Sequence, residues 1–524
     1  MLHTYRAFSS PDADRGITFL VSFDADDDAD ARFLPYAALR RAVAAAARTL
    51  AAAGVDADAR VIFSFDTNPE TIVTFLGLLA LGALPLSIRP GAGDSHREFV
   101  AAIARRYRVT HVVGVEEAIA ASLELRHLAL APVEVDGPDA PLPEFSPERL
   151  AFVQFSSGST SFPKGVPITH GKLVHNLRII VESDQRTRDE CGTSWLPLYH
   201  DMGLVGSLLS SLYAGNNLHL ARPVDFLMRP LDWLRHLSRT RSSFAVLPNF
   251  ALDYVIRHLG DDAALAGVEL SALRGIYLGS EPINIENLEV FRRRLAGFGL
   301  RPGVVKPCYG MAEAVLMVSS TGIDDDFRVV PRPGGVRAIS VGRVHPDFEV
   351  RIIGEEGERC SEGEAGEIEL RGGTLAGAYF EDERRFADDD GWYATGDIGF
   401  VDGGALFISG RASDRFKINA QSYFSSDIEQ LVEGLEFVRP QHAAAVYRGG
   451  RVVILAEVRR TALADPTPHR QAIVDRIDAA LGVKVELEDV RFIRSRQLLR
   501  TSSGKLRRQA LADALERGQI KSAI

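Results

Sequence analysis

The sequence predicts an α/β protein, with a large N-terminal domain of two layered, helix-covered sheets and a small β-rich subdomain, followed by a small α+β C-terminal domain. Three observations predict it. Helices and strands alternate in the first part, short strands and turns dominate after about residue 335, and a compact mixed unit begins at about residue 414. The length of 524 residues accommodates roughly three domains of about 150 residues. We place the boundary after residue 411, giving domains 1–411 (β-rich subdomain about 335–411) and 412–524.

The alternation is clearest near the N-terminus. Leu39, Val43, Ala46 and Leu50 recur at helical spacing, and Gly54 can end that helix. Val61–Phe65 follows as a strand, Pro69 opens the next helix, and Leu84–Ile88 is again a strand. The pattern recurs at Tyr107–Val113, Phe244–Pro248, Gly275–Leu278 and Val304–Lys306. Such alternation is typical of parallel sheets covered by helices.

The last part is more compact. Predicted strands are Phe348–Ile353, Gly366–Arg371, Ala405–Ile408, Val452–Val458 and Val483–Leu487, and predicted helices are Asp427–Leu435 and Arg470–Leu481. Gly403-Gly404 and Ser409-Gly410-Arg411 are the best hinge candidates, because glycine tolerates the widest range of backbone angles.

Composition narrows the function classes. A net charge of −10 without a long basic run argues against a nucleic-acid partner. Three cysteines stand far apart and form no metal-ligand or redox pair. The N-terminus lacks the pattern of a signal peptide. The longest apolar stretch, Ile72–Ile88, contains glycines and a proline and favours a buried helix running into a strand over a membrane span. We therefore expect a cytoplasmic protein.

The most informative segment is the hydroxyl-rich turn Ser156–Gly165. It follows an apolar run, Leu150–Phe155, that is typical of a buried strand. Gly158 permits a sharp bend, and the N–H and O–H groups of such a turn can bind phosphate oxygens. The spacing is not that of a Walker A loop, which excludes a P-loop phosphotransferase. Taken alone, a turn of this composition is as often an ordinary surface loop.

Six further segments follow in a definite order. They are Trp195–Gly203 around His200, Gly279–Pro282, Tyr309–Glu313, Trp392–Asp397, Gly410–Lys417 and Arg500–Lys505. Several come directly after predicted strands, and ligands bind at the carboxyl ends of parallel strands.

This ordered set resembles the adenylate-forming superfamily of acyl-CoA synthetases, luciferases and peptide-synthetase adenylation domains. Leu196–Gly203, Pro248–Ala251 and Tyr309–Ala314 are most similar to fatty acyl-AMP ligases. The resemblance implies a mobile C-terminal domain and a two-step reaction. A carboxylic acid reacts with ATP and Mg²⁺ to give acyl-AMP and pyrophosphate, and a thiol of CoA or phosphopantetheine, with a possible acyl carrier protein, then takes the acyl group.

The resemblance assigns the central catalytic role to Lys505, which would bridge the acyl carboxylate and the α-phosphate. Positive charge suits a step that brings two anions together. A cation about 4 Å from the developing charge contributes ~4 kcal/mol at an effective dielectric near 20, or roughly a thousandfold in rate. The alternative is a solvated lysine on a basic tail with Arg507 and Arg508.

Three charged residues would hold the nucleotide. By resemblance Asp397 accepts hydrogen bonds from the ribose, Glu313 reaches Mg²⁺ on the phosphates, and Arg411 contacts ribose or phosphate. The alternative for Asp397 is a carboxylate that caps a turn, and the alternative for Glu313 is an exposed glutamate at the start of a helix. The alternative for Arg411 is a salt bridge at the hinge.

The remaining positions are carried over from the same motifs. Nucleotide contacts are expected from Ser156, Ser157, Gly158, Ser159, Thr160, Lys164, Gly279, Ser280, Glu281, Pro282, Cys308, Tyr309, Gly310, Met311, Ala312 and Lys417. The acyl tunnel is expected at His200, Gly203, Asn249, Phe250 and Met311, with His200 also counted as catalytic because it would gate the acyl carboxylate. Ordinary core packing is the alternative for the tunnel residues.

The sequence departs from the family pattern in four places. Ser161-Phe162 replaces the glycine usual in the phosphate turn, Ser413 stands at the hinge position, and Ala420 replaces the glycine beside the thiol channel. The segment Ser319–Ile339 is too short for the insertion that hinders domain rotation in acyl-AMP ligases. The last departure favours a complete acid–thiol ligase. An enzyme of one half-reaction and a non-catalytic nucleotide- or acyl-binding homologue are the alternatives.

Overall fold

The computed structural model describes residues 2–9, 12–24, 30–138, 141–156, 163–332, 337–382, 384–418, 421–500 and 505–523. Its strands are β1 Gly16–Phe19, β2 Arg32–Pro35, β3 Arg60–Ser64, β4 Leu84–Ile88, β5 His111–Val113, β6 Arg126–Leu128, β7 Leu150–Ser156, β8 Lys164–Thr169, β9 Cys191–Ser194, β10 Asn217–Leu220, β11 Phe244–Pro248, β12 Gly275–Gly279, β13 Val305–Gly310, β14 Met317–Ser320, β15 Val329–Pro331, β16 Arg337–Ile339, β17 Arg343–Val344, β18 Phe348–Ile353, β19 Gly366–Gly372, β20 Tyr393–Asp402, β21 Ala405–Arg411, β22 Arg415–Ile418, β23 Gln421–Phe424, β24 Val438–Arg448, β25 Arg451–Val458 and β26 Val490–Phe492.

The helices cover the faces of these sheets. They are α1 Arg6–Ser9, α2 Tyr36–Ala52, α3 Pro69–Leu81, α4 Gly93–Tyr107, α5 Glu117–Ser122, α6 His170–Ser183, α7 Asp201–Gly203, α8 Ser210–Ala214, α9 Pro223–Met228, α10 Pro230–Arg239, α11 Asn249–His258, α12 Ile285–Ala296, α13 Ser425–Glu433, α14 Arg460–Ala464, α15 Pro466–Leu481 and α16 Arg508–Glu516. A π-helix, Leu204–Leu209, joins α7 to α8.

Two large sheets form the N-terminal part. One has six strands in the order β6-β5-β3-β4-β7-β8, and the other has nine in the order β17-β14-β13-β12-β11-β9-β10-β1-β2. Strands β11, β12 and β13 run parallel, so their carboxyl ends meet at one edge of the sheet. The predicted α/β class with two layered sheets is therefore confirmed.

Four smaller sheets complete the described part of the fold, two of them the two-stranded pairs β15–β16 and β22–β23. The four antiparallel strands β18–β21 form the β-rich part, and β24, β25 and β26 form the sheet of the C-terminal unit. A separate apolar core with Ile428, Ile454 and Ile477 fully buried stabilises that unit. Among the described residues, no helix is long and apolar enough to cross a membrane.

Three local predictions differ from the structure. Tyr107 ends helix α4, and the strand there begins only at His111. Val483–Leu487 is not a strand, although Val483 and Val485 are buried in alternation, because β26 takes the place beside β25. Gly403 and Gly404, with φ of 55° and 73°, form the tight turn between β20 and β21, so this pair lies inside a sheet and is not a hinge.

Candidate functional site

A cavity of about 1140 Å³ lies where the two large sheets, the β-rich part and the C-terminal unit meet. Most of the predicted site residues line it. They are Lys164, His200, Asn249, Phe250, Gly279, Ser280, Glu281, Pro282, Cys308, Tyr309, Gly310, Met311, Ala312, Glu313, Asp397, Arg411 and Lys505. Residues distant in sequence thus converge on one space at the ends of parallel strands.

The structure does not bring every predicted residue to this lining. Gly203 packs against the Pro197 carbonyl, where a Cβ would lie only 2.3 Å from the oxygen. Lys417 forms an ion pair with Glu355 outside the cavity lining. The backbone of Ser156 ends β7. Ser157–Thr160, together with Ser161-Phe162 and Ala420, lies outside the described residues.

Asp397, Tyr309 and Arg411 form one hydrogen-bonded group. Asp397 and Arg411 are direct partners across β20 and β21, and the Arg411 Nε lies 2.9 Å from Asp397 Oδ1. The Tyr309 hydroxyl donates to Asp397 Oδ2 at 2.7 Å. Burial, followed by the Asp397 carboxylate, raises the pKa of the Tyr309 phenol. Since each carboxylate oxygen has two acceptor sites, Asp397 retains capacity for the hydroxyls of a ribose.

Glu313 lies beside a second tyrosine. The Tyr379 hydroxyl donates to Glu313 Oε1 at 3.0 Å, and the Lys164 ammonium lies 4.7 Å from the centre of the Tyr379 ring. The phosphate-turn lysine and the Glu313 carboxylate therefore approach the same side of the cavity. Burial, followed by Glu313, raises the pKa of the Tyr379 phenol, so its hydroxyl remains a donor at neutral pH.

A tight turn after β13 sets the position of Glu313. Gly310 has no space for a side chain, since a Cβ would lie 1.8 Å from the Leu316 carbonyl oxygen. The Met311 N–H closes the turn by donating to that oxygen at 2.9 Å. Val315 has a φ of 74°, which is strained for a β-branched residue. The turn is thus built around constraints that hold the carboxylate at the strand end.

The turn after β12 is strained as well. Ser280 has a φ of 75°, an uncommon value for a residue with a side chain. It is followed by Glu281, whose carboxylate accepts a hydrogen bond from the Phe250 N–H at the start of α11. Burial raises the pKa of Glu281, while the positive charges of Arg500 and Lys505 oppose that shift. Strained backbone of this kind is common at ligand sites.

His200 lies at the start of α7. Its ring centre is 4.7 Å from that of Tyr199, and the Tyr199 carbonyl accepts from Gln154 Nε2 at 2.8 Å. On the neighbouring strand end, the Asn249 side chain accepts from the Asn284 N–H at 3.2 Å. These hydrogen bonds hold the cavity wall near His200 and Asn249 in place.

The C-terminal unit closes the cavity and carries Lys505 into it. Several charge pairs join it to the N-terminal part. Asp427 on α13 lies 3.6 Å from Arg332, and the Arg332 guanidinium is 5.7 Å from the Phe424 ring centre. Arg415 lies 3.0 Å from Glu355. These contacts hold the unit in the arrangement that places Lys505 at the site.

The donor set fits a magnesium ion carried by phosphates. Within the described part of the chain, no three His, Cys, Asp or Glu side chains are grouped to hold a metal by themselves. Mg²⁺ usually keeps waters and binds one or two carboxylates plus substrate phosphates. Glu313, buried and anchored by Tyr379, is the carboxylate that would hold it.

Sequence reasoning missed Gln154 and Tyr379 in the cavity wall, and it assigned no role to Trp195, Tyr393 and Arg500, although these three lie within the predicted motifs. Gln154 carried a signal, because it is a polar residue inside the apolar run of a buried strand. Tyr379 lies outside the motifs, and no local pattern marks it.

Comparison with known proteins identifies the family. The sequence matches the AMP-binding enzyme family over residues 14–380. The chain belongs to this family. It is 31% identical to the medium-chain-fatty-acid–[acyl-carrier-protein] ligase JamA of Moorena producens, over 70% of this chain and 68% of that protein. It is 30% identical to a long-chain-fatty-acid–AMP ligase of Mycobacterium marinum, over 95% and 93% of the two chains.

Solved structures agree with this assignment. The chain is 26% identical to a fatty acyl-adenylate ligase from a study of the E. coli and L. pneumophila enzymes, with a TM-score of 0.85 and 96% of both chains covered. It is 25% identical to the L. pneumophila enzyme solved in complex with acyl adenylate and pyrophosphate, with a TM-score of 0.72 and 98% and 94% covered. The protein is an adenylate-forming ligase whose relatives are fatty acyl-AMP ligases and acyl-CoA or acyl-carrier-protein ligases, and the non-catalytic alternative is set aside.

Proposed function

We propose that this AMP-binding enzyme activates a carboxylic acid with a long or bulky aliphatic body as acyl-AMP and passes the acyl group to the thiol of CoA or of carrier-protein phosphopantetheine. The observation that carries the proposal is the shared cavity, in which Lys505 of the C-terminal unit lies with Glu313, Asp397 and Arg411. This set combines cations for the reacting anions with carboxylates for ribose and magnesium.

In the first step a carboxylate oxygen of the acid attacks the α-phosphorus of ATP, and pyrophosphate leaves. Lys505 stabilises the charge that the two anions bring together, and Asp397 with Arg411 binds the ribose. Lys164 and Glu313 face the phosphates. In the second step the thiol sulfur attacks the acyl carbon and AMP leaves, once the C-terminal unit has rotated away.

A second candidate is an enzyme that stops at acyl-AMP, which the name of the M. marinum relative favours. Against it, the segment between β14 and β17 is short, and the strands among its described residues are β15 and β16, so the insertion that would restrain rotation is small. The name of the M. producens relative supports a carrier protein as acceptor.

The test follows both half-reactions separately. The protein is incubated with ATP, Mg²⁺ and a panel of acids, with CoA or a phosphopantetheinylated carrier protein, and pyrophosphate and thioester are measured. We expect pyrophosphate with an acid and thioester with one of the acceptors. Pyrophosphate without any thioester would establish the second candidate, and absence of both products would refute the adenylation proposal.

A further inference from the structure

The inner end of the cavity is polar. Asp184 follows the last residue of α6 and is fully buried, and Tyr277 lies in the middle of β12 with 4% of its surface exposed. Both residues line the cavity, and neither belongs to the nucleotide-binding motifs. A buried carboxylate and a buried phenol in a pocket for an aliphatic acid need an explanation.

The Arg186 guanidinium donates hydrogen bonds to only one of the two oxygens of the Asp184 carboxylate. Its Nε and Nη2 donate to Asp184 Oδ2 at 3.0 and 2.6 Å, and its Nη1 donates to Ser210 Oγ at 2.9 Å. Among the described residues, neither Asp184 Oδ1 nor the Tyr277 hydroxyl has a hydrogen-bond partner. Leaving a buried polar group unpaired is costly, so both atoms would gain from a ligand group that pairs with them.

The two groups have opposite requirements. An ionised Asp184 only accepts hydrogen bonds, whereas the Tyr277 hydroxyl can donate. Burial raises the pKa of both groups, and the Asp184 charge raises the pKa of Tyr277 further. A hydroxyl is the smallest group that can donate to one atom and accept from the other. A carboxylate would be repelled by Asp184, and an ammonium would add a charge to a pair that Arg186 already neutralises.

The walls leading to this polar end are apolar. Ile180, Val246, Leu316 and Met317 line the cavity together with Asp184 and Tyr277. Tyr277 precedes Gly279 by two residues, so both face the same side of β12 and lie ~7 Å apart along the strand. An acid with an apolar body and a hydroxyl distant from its carboxylate matches this order of surfaces.

We propose that the acid carries a hydroxyl group at the end remote from its carboxylate, and that Asp184 and Tyr277 bind this hydroxyl. The proposal rests on the proposed function, whose substrate class it narrows. Asp184 Oδ1 accepts the hydrogen bond of the substrate hydroxyl, and the Tyr277 hydroxyl donates to its oxygen.

The test uses pairs of acids that differ only in the hydroxyl, such as a straight-chain acid and its terminal-hydroxy counterpart, and phenylpropanoic acid and its para-hydroxy counterpart. Binding is measured by calorimetry and activation by kcat/KM for pyrophosphate release. The wild-type protein is compared with Tyr277→Phe. Tyr5→Phe is the control, because its hydroxyl is equally buried and without a partner in the described structure but lies outside the cavity lining.

We expect the wild type and Tyr5→Phe to prefer the hydroxylated acid of at least one pair by about tenfold to a hundredfold, because the unsubstituted acid leaves the buried Asp184 and Tyr277 atoms unpaired. Tyr277→Phe should remove most of this preference, measured as the ratio of the two acids' dissociation constants within the variant. Equal binding of both acids by the wild type, a preference that survives Tyr277→Phe, or no binding of any acid overturns the proposal. Because calorimetry detects binding without catalysis, a hydroxyl preference in binding without pyrophosphate release would refute only the proposed function.

Discussion

Replacing Lys505 with alanine tests the division of roles between the two parts of the chain. Lys505 lines the cavity with Glu281 and Arg500, at the point where a carboxylate and a triphosphate would meet. One cation about 4 Å from the developing charge contributes ~4 kcal/mol at an effective dielectric near 20. Since part of this is recovered by Arg500 and solvent, we expect Lys505→Ala to slow acid-dependent pyrophosphate release by roughly 10²–10³-fold.

The assay measures two rates in the same preparation. Pyrophosphate release reports adenylation, and thioester formation from supplied acyl-AMP reports the second step, which we expect to be nearly unchanged. Lys484→Ala is the matched control, because Lys484 is an exposed lysine of the C-terminal unit paired with Asp478. An equal loss of both rates in Lys505→Ala, or no loss of adenylation, would refute the assigned role.

Three further predictions follow from two contacts in the structure and from the burial of one histidine. Tyr379→Phe removes the hydrogen bond to Glu313 and should raise the KM for Mg-ATP by about tenfold, since hydrogen bonds to charged groups contribute about 1.5–3 kcal/mol. Arg332→Ala breaks the contact with Asp427 and should accelerate thioester formation from supplied acyl-AMP by about twofold to fivefold. Burial lowers the pKa of His236 to about 3 in the folded state. At a pH below the pKa of the unfolded state, the unfolded chain therefore binds more protons than the folded one, and the free energy of unfolding decreases. At about pH 5 this lowers the free energy of unfolding by ~2 kcal/mol. The melting temperature of His236→Gln should therefore fall less than that of the wild type when the pH is lowered from about 7 to about 5.

Each of these variants has a matched control. Tyr423→Phe removes a tyrosine hydroxyl hydrogen bond within the C-terminal unit, and its KM for Mg-ATP should be unchanged. Arg384→Ala removes a highly exposed arginine and should leave thioester formation as it was. His258→Gln alters an exposed histidine, and its melting temperature should keep the acid sensitivity of the wild type. If a control shows the same effect as its test variant, the proposed interaction is not the cause of that effect.

Much of the fold follows from local patterns. Leu84–Ile88 and Phe244–Pro248 begin and end where their apolar runs predict, because a mostly apolar run of five residues has the length of a buried strand and is too short for a typical helix. Val483–Leu487 shows the limit of such patterns. Its side chains are buried in alternation, as in a strand. However, β26 occupies the position beside β25, and the local sequence pattern does not indicate which segment pairs with β25.

The site shows the same division. Glu313, Asp397 and Lys505 stand in motifs that resemble those of a known family, so this resemblance indicates them from the sequence. Tyr379 takes part only because the chain returns to the cavity, and no motif marks it, whereas Arg500 begins the motif Arg500–Lys505 but receives no role from it. Gly203 illustrates the opposite case, since a motif position next to the site serves close packing against Pro197.

Asp184 and Tyr277 carry this argument into substrate choice. In sequence each is an ordinary residue, one after a helix and one within a strand, and the apolar body expected of the acid gives no reason to single them out. Their unpaired atoms become visible only when the cavity is followed past the reacting groups to its inner end. Because adenylation chemistry needs the same residues for every acid, selectivity must come from such positions, which can change without disturbing Lys505 or Asp397. On the proposed function, Asp184 and Tyr277 would therefore add to the selectivity expected from the tunnel residues His200, Asn249 and Phe250.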